Sequence, residues 1–422
     1  MNFLEELRRR GMLHNFTEGV DEALQHPNVV GYIGFDPTAP SLTIGNYVQI
    51  MLLTLFQRSG HRPIVLMGGA TGRIGDPSGK DKERELKTYD ELDANLNRQL
   101  EQFRRFLNFD EGDNRAVLVN NYDFYKNMNV LDFLRDVGKT LTVNYMMEKE
   151  SVKKRLETGI SFTEFSYQLL QGYDFLCLYR DLNCTLQMGG SDQWGNITAG
   201  TEFIRKQLGG KAHAITTPLL TKADGTKFGK SEQGNIWLDP GMTSPYKFYQ
   251  FWLNADDRDI PTFTRYFTLR SMDEVEAQEK ELEPREMKRL LAEELTIRIH
   301  SKEDFETVMK VSELIFGKAN DPQVLLSLSK EALAQVAEEI PRFSVPLEIL
   351  RSEPNILDLL AEHTGIVSSK GEARRAIQGN AVTVNKEKIA SHEASVAAHQ
   401  LLHGKYLMVE NGKKNKFMVV AE

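Results

Sequence analysis

Cysteine, long apolar runs and an excess of positive charge are all missing or scarce in this sequence. Only two cysteines occur among 422 residues, Cys177 and Cys184, which excludes a disulfide framework and a cysteine-based metal site. No stretch reaches the ~18–20 apolar residues that a membrane-spanning helix requires. The first residues also lack the apolar run of a signal peptide. We therefore expect a soluble, cytoplasmic protein that does not bind membranes.

The charge balance limits how the chain can bind nucleic acid. Lys and Arg number 52 against 60 Asp and Glu, which gives a formal net charge of −8. An acidic protein cannot attract nucleic acid with its whole surface, so any basic residues that bind RNA must be gathered locally. Residues 351–422 carry 10 Lys and Arg against 8 Asp and Glu, a net charge of +2. That sign is the one expected of an RNA-binding appendage.

The apolar segments in the first half predict an α/β fold with a doubly wound parallel sheet. Apolar runs at 29–35 and 64–67 flank a stretch with helical spacing, which is the pattern of a βαβ unit. Further apolar runs at 116–119 and 184–188 extend the same sheet. We assign residues 1–217 to this Rossmann-like domain.

The rest of the chain divides by composition into three segments. Residues 218–330 join a lysine- and glycine-rich loop to stretches with helical spacing, which predicts an α-helical domain. Residues 331–350 contain two prolines close together and are expected to form a linker. Residues 351–422 predict two short helices, a strand and a hairpin turning at Asn411-Gly412, which together make a small α+β domain.

Two glycine-containing loops follow the predicted strands. In the segment 36–46 a helix begins near Thr43, where free N–H groups can bind an anion, and Gly45 permits close approach. An ordinary βα turn would fit this segment equally well. The segment 68–80 fails the P-loop pattern, because Ile74 and Asp81 stand where that motif needs glycine and Ser or Thr. A P-loop kinase or GTPase is therefore disfavoured.

Three further clusters carry polar groups at regular spacing. One face of a predicted helix holds Tyr167, Gln171 and Asp174, which need polar partners or solvent. Asp192 follows two glycines at a strand end, where a carboxylate can bind a ribose hydroxyl. The loop 219–231 contains two lysines three apart, which suits a polyphosphate but also a solvated basic loop.

The combination and order of these segments resemble the class I aminoacyl-tRNA synthetases, and among them the bacterial tyrosyl-tRNA synthetases, over nearly the whole chain. Residues 227–231, Lys-Phe-Gly-Lys-Ser, are similar to the family's KMSKS loop. Residues 43–46, Thr-Ile-Gly-Asn, stand where the family has its HIGH motif. The segment from about residue 356 resembles a small RNA-binding module named after a ribosomal protein. The resemblance implies that ATP activates L-tyrosine to tyrosyl-adenylate and that the tyrosyl group then passes to the 3′ end of tRNA(Tyr).

The resemblance also implies roles for individual residues. Tyr32 and Asp174 match the pair that hydrogen-bonds the substrate phenol, an arrangement that leaves polar groups unpaired when phenylalanine binds. The other groups around the tyrosine would be Asp76, Tyr167, Gln171 and Gln193. The ATP-binding residues would be Gly45, Asn46, Gly190, Asp192 and Lys230. The catalytic groups near the phosphates would be Thr38, Thr43, Asn46, Lys80, Arg84, Lys227 and Lys230.

The family resemblance further implies a homodimer with contacts around residues 121–158, and ATP entering as a substrate with Mg²⁺ and no tightly bound protein-liganded metal. One departure is evident, because Thr43 and Asn46 replace both histidines of HIGH and can donate hydrogen bonds but carry no charge. Whether Asn46 contacts the ribose or a phosphate stays open. Two other functions also stay open: a non-catalytic RNA-binding relative, and a tryptophanyl-tRNA synthetase, which would not need the Tyr32–Asp174 pair.

Overall fold

The computed structural model of the chain contains two compact units. The first comprises Met1–Thr243 and Phe251–Leu295, and the second comprises Ser244–Gln250 and Thr296–Glu422. The division between them falls inside the segment 218–330. The structure describes residues 2–78, 87–156, 159–231, 234–317, 321–412 and 415–422. None of the helices in these ranges is both long and apolar enough to cross a bilayer.

A five-stranded sheet, parallel throughout, forms the centre of the first unit. Its strands are β1 Val30–Phe35, β2 Arg62–Met67, β3 Val117–Asn120, β4 Cys184–Gly190 and β5 His213–Thr217. The order β3-β2-β1-β4-β5 reverses between β1 and β4. Ligands of doubly wound sheets bind at the carboxyl ends of strands beside such a reversal. The sheet confirms the predicted fold class.

Helices cover this sheet and continue beyond it. They are α1 Phe3–Arg10, α2 Val20–Ala23, α3 Ile44–Arg58, α4 Tyr89–Phe103, α5 Tyr122–Tyr125, α6 Val130–Asp132, α7 Val143–Met147, α8 Glu150–Leu156, α9 Phe162–Leu182, α10 Trp194–Leu208, α11 Pro245–Leu253, α12 Ile260–Phe267, α13 Met272–Glu281 and α14 Pro284–Ile299. Single turns of 3₁₀-helix lie at Thr71–Arg73, Ser191–Gln193 and Asp257–Asp259, and a π-helical turn lies at Phe133–Gly138. Two short antiparallel strands, β6 Lys230–Ser231 and β7 Gly234–Asn235, follow the lysine loop.

The core between the sheet and α9 and α10 is aromatic and aliphatic. Phe175 of α9 and Phe203 of α10 are fully buried there together with Tyr32 of β1. Both cysteines are buried as free thiols, as the apolar residues around them in the sequence predict. The long helix α9 begins where the Ser161 side chain accepts a hydrogen bond from the Glu164 N–H, a regular N-cap. This packing holds α9 rigidly beside the carboxyl ends of β1 and β4.

The second unit is built on a mixed sheet. Its strands are β8 Arg342–Val345, β9 Val382–Val384, β10 Glu387–Lys388, β11 Tyr406–Asn411 and β12 Asn415–Ala421, in the order β10-β9-β11-β12-β8. The helices are α15 Lys302–Phe316, α16 Pro322–Leu326, α17 Lys330–Glu339, α18 Leu347–Arg351, α19 Ile356–Asp358 and α20 Lys370–Gln378. A π-helical turn, Leu359–His363, continues α19, and a 3₁₀ turn lies at Ala398–Gln400. The two helices, the strand and the hairpin predicted for the tail are all present.

The segment 331–350 is not the linker that was expected. It contains most of α17 and all of β8, which pairs in parallel with β12 at the edge of the C-terminal sheet. Val345 is buried in the core of that sheet. Pro341 and Pro346 flank the strand and leave its N–H groups free to pair, which is where proline is tolerated in a sheet. The prolines therefore mark the ends of a strand.

Candidate active site

A cleft of about 560 Å³ opens at the carboxyl ends of β1 and β4, at the reversal of the strand order. The loop after β1, the start of α3, the polar face of α9 and the loop after β5 all contribute to its walls. The predicted site residues that line it are Thr38, Thr43, Gly45, Asn46, Asp76, Tyr167, Gln171, Asp174, Gly190, Asp192, Gln193 and Lys227. Residues that are far apart in sequence thus meet in one cleft.

The structure does not show the other four predicted residues at the cleft surface, because one is buried apart from it and three have side chains outside the described ranges. Tyr32 is only 1% exposed and is not among the residues that line the cleft, and its ring packs edge-on against Phe175 at 5.2 Å between centroids. Lys80 and Arg84 lie outside the described residues. Lys230 begins β6, but its side chain is outside the described part of the chain.

Asp174 is the most deeply buried carboxyl group of the cleft. Its Oδ2 accepts a hydrogen bond from Asn121 Nδ2 at 2.9 Å, and its Oδ1 accepts one from the Tyr125 hydroxyl at 2.7 Å. Burial raises the pKa of Asp174 to about 7; the two hydrogen bonds oppose this increase, and the nearby charge of Asp36 adds to it. The cleft therefore holds a carboxyl group that changes charge near neutral pH.

A second carboxyl group, Asp36, lies directly after β1. Its Oδ2 accepts a hydrogen bond from the Tyr167 hydroxyl at 2.9 Å, and its Oδ1 accepts one from Thr71 Oγ1 at 2.7 Å. Thr71 in turn accepts a hydrogen bond from Asn121 Nδ2 at 3.0 Å. Hydrogen bonds therefore connect Asp36 to Asp174 through Thr71 and Asn121. The pKa of the Tyr167 hydroxyl is raised well above its ordinary value, by burial first and then by Asp36.

Asp76 forms a third polar group on the opposite wall. Gln193 Nε2 donates to Asp76 Oδ2 at 2.7 Å, and the Ser78 N–H donates to Oδ1 at 2.9 Å. Asn196 Nδ2 lies 3.2 Å from Ser78 Oγ and 3.3 Å from Gln193 Oε1. These bonds fix the carboxylate at the cleft surface. Together with Asp36 it gives this part of the cleft a negative charge, which suits a cationic ammonium group.

The Tyr32 hydroxyl is buried without a hydrogen-bond partner among the described residues. Its pKa is raised well above the ordinary value by burial, and then by the charge of Asp174. A buried donor with no partner costs roughly 1–3 kcal/mol. A ligand hydroxyl that reached both Tyr32 and Asp174 would recover part of this cost.

The segment 43–46 begins α3 with a reciprocal pair of hydrogen bonds. The Thr43 hydroxyl and N–H both donate to Asn46 Oδ1, at 2.8 and 2.9 Å, and the Asn46 N–H donates to Thr43 Oγ1 at 3.3 Å. This arrangement is a capping box. The Asn46 amide NH₂ forms no hydrogen bond within the described residues and lies at the cleft. Asn46 thus serves both as a helix cap and as a donor available to a ligand.

The lysine loop lies directly against this helix start. Phe228 is buried, and its ring packs against Phe263 at 4.9 Å and Phe267 at 5.3 Å between centroids. Gly229 adopts a left-handed φ of +94°, and a Cβ there would lie 3.1 Å from the backbone nitrogen of Gly45. Phe228 therefore anchors the loop and places Lys227 at the cleft.

Asp192 lies over the end of β4, at the rim of the cleft. A Cβ at position 190 would approach Asp192 Oδ1 to 2.6 Å, so a larger residue there would displace this carboxylate from its position. Among the described residues, no group of three His, Cys, Asp or Glu side chains could hold a metal ion.

Sequence reasoning missed Asp36, Thr71, Asn121 and Tyr125 as members of the site. Asp36 and Asn121 each follow a strand of the parallel sheet directly, and that position is the signal that could have identified them. Asn121 was expected near a subunit contact, but its side chain is 1% exposed and faces the cleft network. Tyr125 gives no signal in the sequence.

Two protein-family models match the chain, and together they cover most of its length. A family model described as class I tRNA synthetases (W and Y) matches residues 24–317. A second, described as the tyrosine–tRNA ligase SYY-like C-terminal domain, matches residues 332–419.

Curated proteins and solved structures give the same result. The chain is 54% identical to a tyrosine–tRNA ligase of Cytophaga hutchinsonii over 99% of both chains, and 49% identical to one of Bacteroides fragilis over the full length of both. The crystal structure of a C-terminally truncated mitochondrial tyrosyl-tRNA synthetase of Aspergillus nidulans superimposes with a TM-score of 0.66 and 30% identity, covering 74% of this chain and 94% of that one.

Proposed function

Because the chain belongs to the tyrosine–tRNA ligases, a family of class I aminoacyl-tRNA synthetases, we propose that it attaches L-tyrosine to tRNA(Tyr) in two steps. In the first, the tyrosine carboxylate attacks the α-phosphorus of ATP, which forms tyrosyl-adenylate and releases pyrophosphate. In the second, a ribose hydroxyl at the 3′ end of the tRNA attacks the tyrosyl carbonyl and AMP leaves. The proposal is supported most directly by the buried polar groups at the closed end of the cleft.

These groups complement the two ends of tyrosine. The phenol hydroxyl can donate to Asp174 and accept from Tyr32, whose hydroxyl otherwise has no partner among the described residues. The ammonium group suits the carboxylates of Asp76 and Asp36, and the neutral oxygens of Tyr167 and Gln171 can accept further hydrogen bonds from it. Phenylalanine would leave the Tyr32 and Asp174 groups buried and unpaired, and such sites discriminate strongly.

The first step requires positioning and charge more than proton transfer. The tyrosine carboxylate is already ionised and is its own nucleophile, so no general base is needed. The developing charge on pyrophosphate would be stabilised by Lys227 and Lys230 of the lysine loop, with Thr38 donating from the opposite wall. Lys80 and Arg84 are proposed to join them. Mg²⁺ enters bound to ATP as part of the substrate.

The nucleoside end of ATP is proposed to lie along the rim of the cleft. Asp192 can accept a hydrogen bond from a ribose hydroxyl beside Gly190, at the carboxyl end of β4. Gly45 and the free amide of Asn46 face the same space from the start of α3. Thr43 is tied to Asn46 by the capping box, so we assign it a positioning role in place of the missing histidine.

Pyrophosphate exchange with each of the twenty amino acids tests the proposal. Exchange that depends on tyrosine alone is expected. Exchange with tryptophan would support the tryptophan-specific alternative, for which the Tyr32–Asp174 pair provides no reason. No exchange with any amino acid, together with retained RNA binding, would support a non-catalytic relative.

The segment in which subunit contacts are expected, extended to Phe162, is proposed to form the dimer interface. Its exposed apolar side chains include Val130, Leu131, Leu134, Val143 and Phe162, of which Leu131 is 72% and Phe162 75% exposed. Exposed apolar surface of this kind commonly marks a protein–protein contact.

We expect Leu131→Asp to convert the dimer to a monomer, because a charge buried at an apolar interface without a partner is strongly unfavourable. Light scattering coupled to size exclusion measures the mass directly. Leu326→Asp is the matched control, since Leu326 of α16 is 56% exposed in the second unit. A dimer of unchanged stability in Leu131→Asp would remove this region from the interface.

The C-terminal unit is proposed to grip the tRNA through basic residues on α20. Arg374 and Arg375 are both exposed there, whereas Lys370 pairs with Asp358 and Glu362 at 2.6 and 2.9 Å. Exposed arginines suit phosphate better than a lysine already neutralised by carboxylates.

We expect Arg374→Ala combined with Arg375→Ala to weaken tRNA binding and to leave tyrosyl-adenylate formation unchanged. The slope of log K against log salt should become shallower by roughly 0.7–0.9 for each tRNA phosphate that the variant no longer neutralises. Filter binding over a salt series measures this slope. A slope equal to that of the unaltered protein would show that neither arginine contacts the tRNA backbone. Truncation near Pro346 is not a clean alternative, because it would leave β8 without its partner β12.

A further inference from the structure

The hydroxyl of Tyr125 lies between two hydrogen-bond acceptors. It is 2.7 Å from Asp174 Oδ1 and 2.8 Å from the carbonyl oxygen of Leu170. A phenol has one hydrogen to donate, so it cannot donate to both at once. When Asp174 is ionised, Tyr125 donates to the carboxylate. When Asp174 is protonated, its own hydroxyl can donate to Tyr125, and Tyr125 then donates to Leu170.

Tyr125 reaches Asp174 from outside the cleft. It belongs to α5, its ring lies 5.7 Å from that of Tyr173, and it is not among the residues that line the cleft. A ligand in the cleft can contact Asp174 directly, whereas the Tyr125 hydroxyl is already occupied by Asp174 and Leu170 and acts on the ligand through Asp174. Asn121 holds the other carboxyl oxygen, so Tyr125 and Asn121 together fix both oxygens and leave each with room for one further hydrogen bond.

We propose that Tyr125 is a positioning residue whose hydroxyl keeps Asp174 in the ionised form that accepts the phenol hydroxyl of tyrosine and penalises phenylalanine. This inference rests on the proposed function and adds to it the group that sets how the specificity carboxylate titrates. Strand ends and glycine-containing loops in the sequence do not indicate this role, because Tyr125 acts only through its hydrogen bond to Asp174.

The electrostatic surroundings of Asp174 support this role. Burial raises the pKa of Asp174, and the hydrogen bond from Tyr125 is the first of the interactions that lower it again. Removing the hydroxyl should therefore raise the pKa further, so that less of the carboxylate is ionised at neutral pH. Other titratable groups also interact electrostatically with Asp174. They lie on β1, directly after β1 and on α9, and are Tyr32, Asp36, Tyr167 and Cys177.

When Asp174 is protonated, the site should also discriminate less between tyrosine and phenylalanine. A neutral carboxyl group costs less to bury beside the ring edge of phenylalanine than an ionised carboxylate does. The loss of the Tyr125 hydroxyl is therefore expected to weaken tyrosine binding and to narrow the difference between tyrosine and phenylalanine, both most strongly at low pH.

The test compares Tyr125→Phe with Tyr173→Phe in the full-length protein. Tyr173 packs against the same ring, but its hydroxyl does not hydrogen-bond Asp174, so this variant loses an equivalent group without the proposed role. Tyrosine affinity without ATP is measured by calorimetry from pH 6 to 8.5. The unaltered protein, measured over the same pH range, corrects for titration at the ammonium end, which neither substitution touches.

In Tyr125→Phe we expect the midpoint of the tyrosine profile to rise by about one pH unit. Between pH 6.5 and 7 the variant should bind tyrosine roughly five- to tenfold more weakly than the unaltered protein does. At pH 8.5 the two affinities should agree to within about twofold. Tyr173→Phe should follow the unaltered profile.

A Tyr125→Phe profile that superimposes on that of the unaltered protein overturns the inference, and so does an equal loss of affinity at every pH, which would indicate a packing role. Tyr125→Leu also lacks the hydroxyl and provides a second variant if the first does not fold. Failure of the unaltered protein to bind tyrosine would instead overturn the proposed function, so the two failures are distinguishable.

Discussion

Lys230→Ala and Lys227→Ala are each expected to lower the single-turnover rate of tyrosyl-adenylate formation by roughly 10²–10³, the usual cost of removing one preorganised group that stabilises transition-state charge. Affinity for tyrosine without ATP should stay nearly constant, because the groups proposed to bind tyrosine lie on other segments than the lysine loop. That pattern identifies an interaction made to the nucleotide or realised in the transition state. Rapid-quench measurement with saturating tyrosine and ATP gives the rate.

Two controls make this comparison specific. Lys222→Ala removes a lysine from the same loop at a position that does not line the cleft and should leave the rate unchanged. Asn46→Ala should lower the rate less than the lysine variants do, because Asn46 supplies only an amide dipole whereas each lysine supplies a full positive charge. It also removes the N3 side chain of the capping box, whereas the N-cap itself, Thr43, stays in place. A normal rate in Lys227→Ala and Lys230→Ala would mean that the loop only closes the cleft.

Tyr32→Phe is expected to separate specificity from stability. The Tyr32 hydroxyl is buried without a partner among the described residues, so its removal should leave thermal stability unchanged or raised. Discrimination between tyrosine and phenylalanine should nevertheless fall about 2- to 13-fold, which corresponds to a neutral hydrogen bond of ~0.5–1.5 kcal/mol. Asp174→Ala should lose more binding free energy for tyrosine than Tyr32→Phe does, because hydrogen bonds to charged groups are worth roughly 1.5–3 kcal/mol.

Tyr266→Phe is the matched control for Tyr32→Phe. Tyr266 is buried to a similar degree, but its hydroxyl donates to the carbonyl oxygen of Gly11 at 2.8 Å, and the residue does not line the cleft. Its loss should therefore lower stability and leave specificity intact. Thermal unfolding and pyrophosphate exchange on both variants measure the two effects. Unchanged kinetics with both amino acids in Tyr32→Phe would remove Tyr32 from the phenol site.

The sequence predicted most of the α/β unit because buried parallel strands are continuous apolar runs. That signal identified β1 to β4, and helical spacing identified α3. Strand β5 was missed because His213 and two threonines interrupt its apolar character, although all five of its residues are buried. The prediction of a linker at 331–350 was wrong for a related reason. Two prolines suggested a break between domains, but they border the strand β8.

The site was predictable only where chemistry is visible in one segment. Tyr167, Gln171 and Asp174 share a helical face, and the lysine loop is a continuous motif. Asn121, by contrast, meets Asp174 across 53 positions of the sequence, through contacts that exist only after β3 and α9 have packed on the same sheet. No local pattern records such a pairing, so the groups that position the carboxylate required the structure.

The ratio of kcat/KM for tyrosine to that for phenylalanine in pyrophosphate exchange tests the central claim most directly, because it measures the phenol site without tRNA. A ratio of ~10⁴–10⁵ is expected without any editing step; that magnitude is the one known for this enzyme family itself, and the structure contributes the groups that would produce it. A ratio near unity, or exchange that tyrosine does not stimulate, would contradict the assignment of Tyr32 and Asp174 to the phenol hydroxyl.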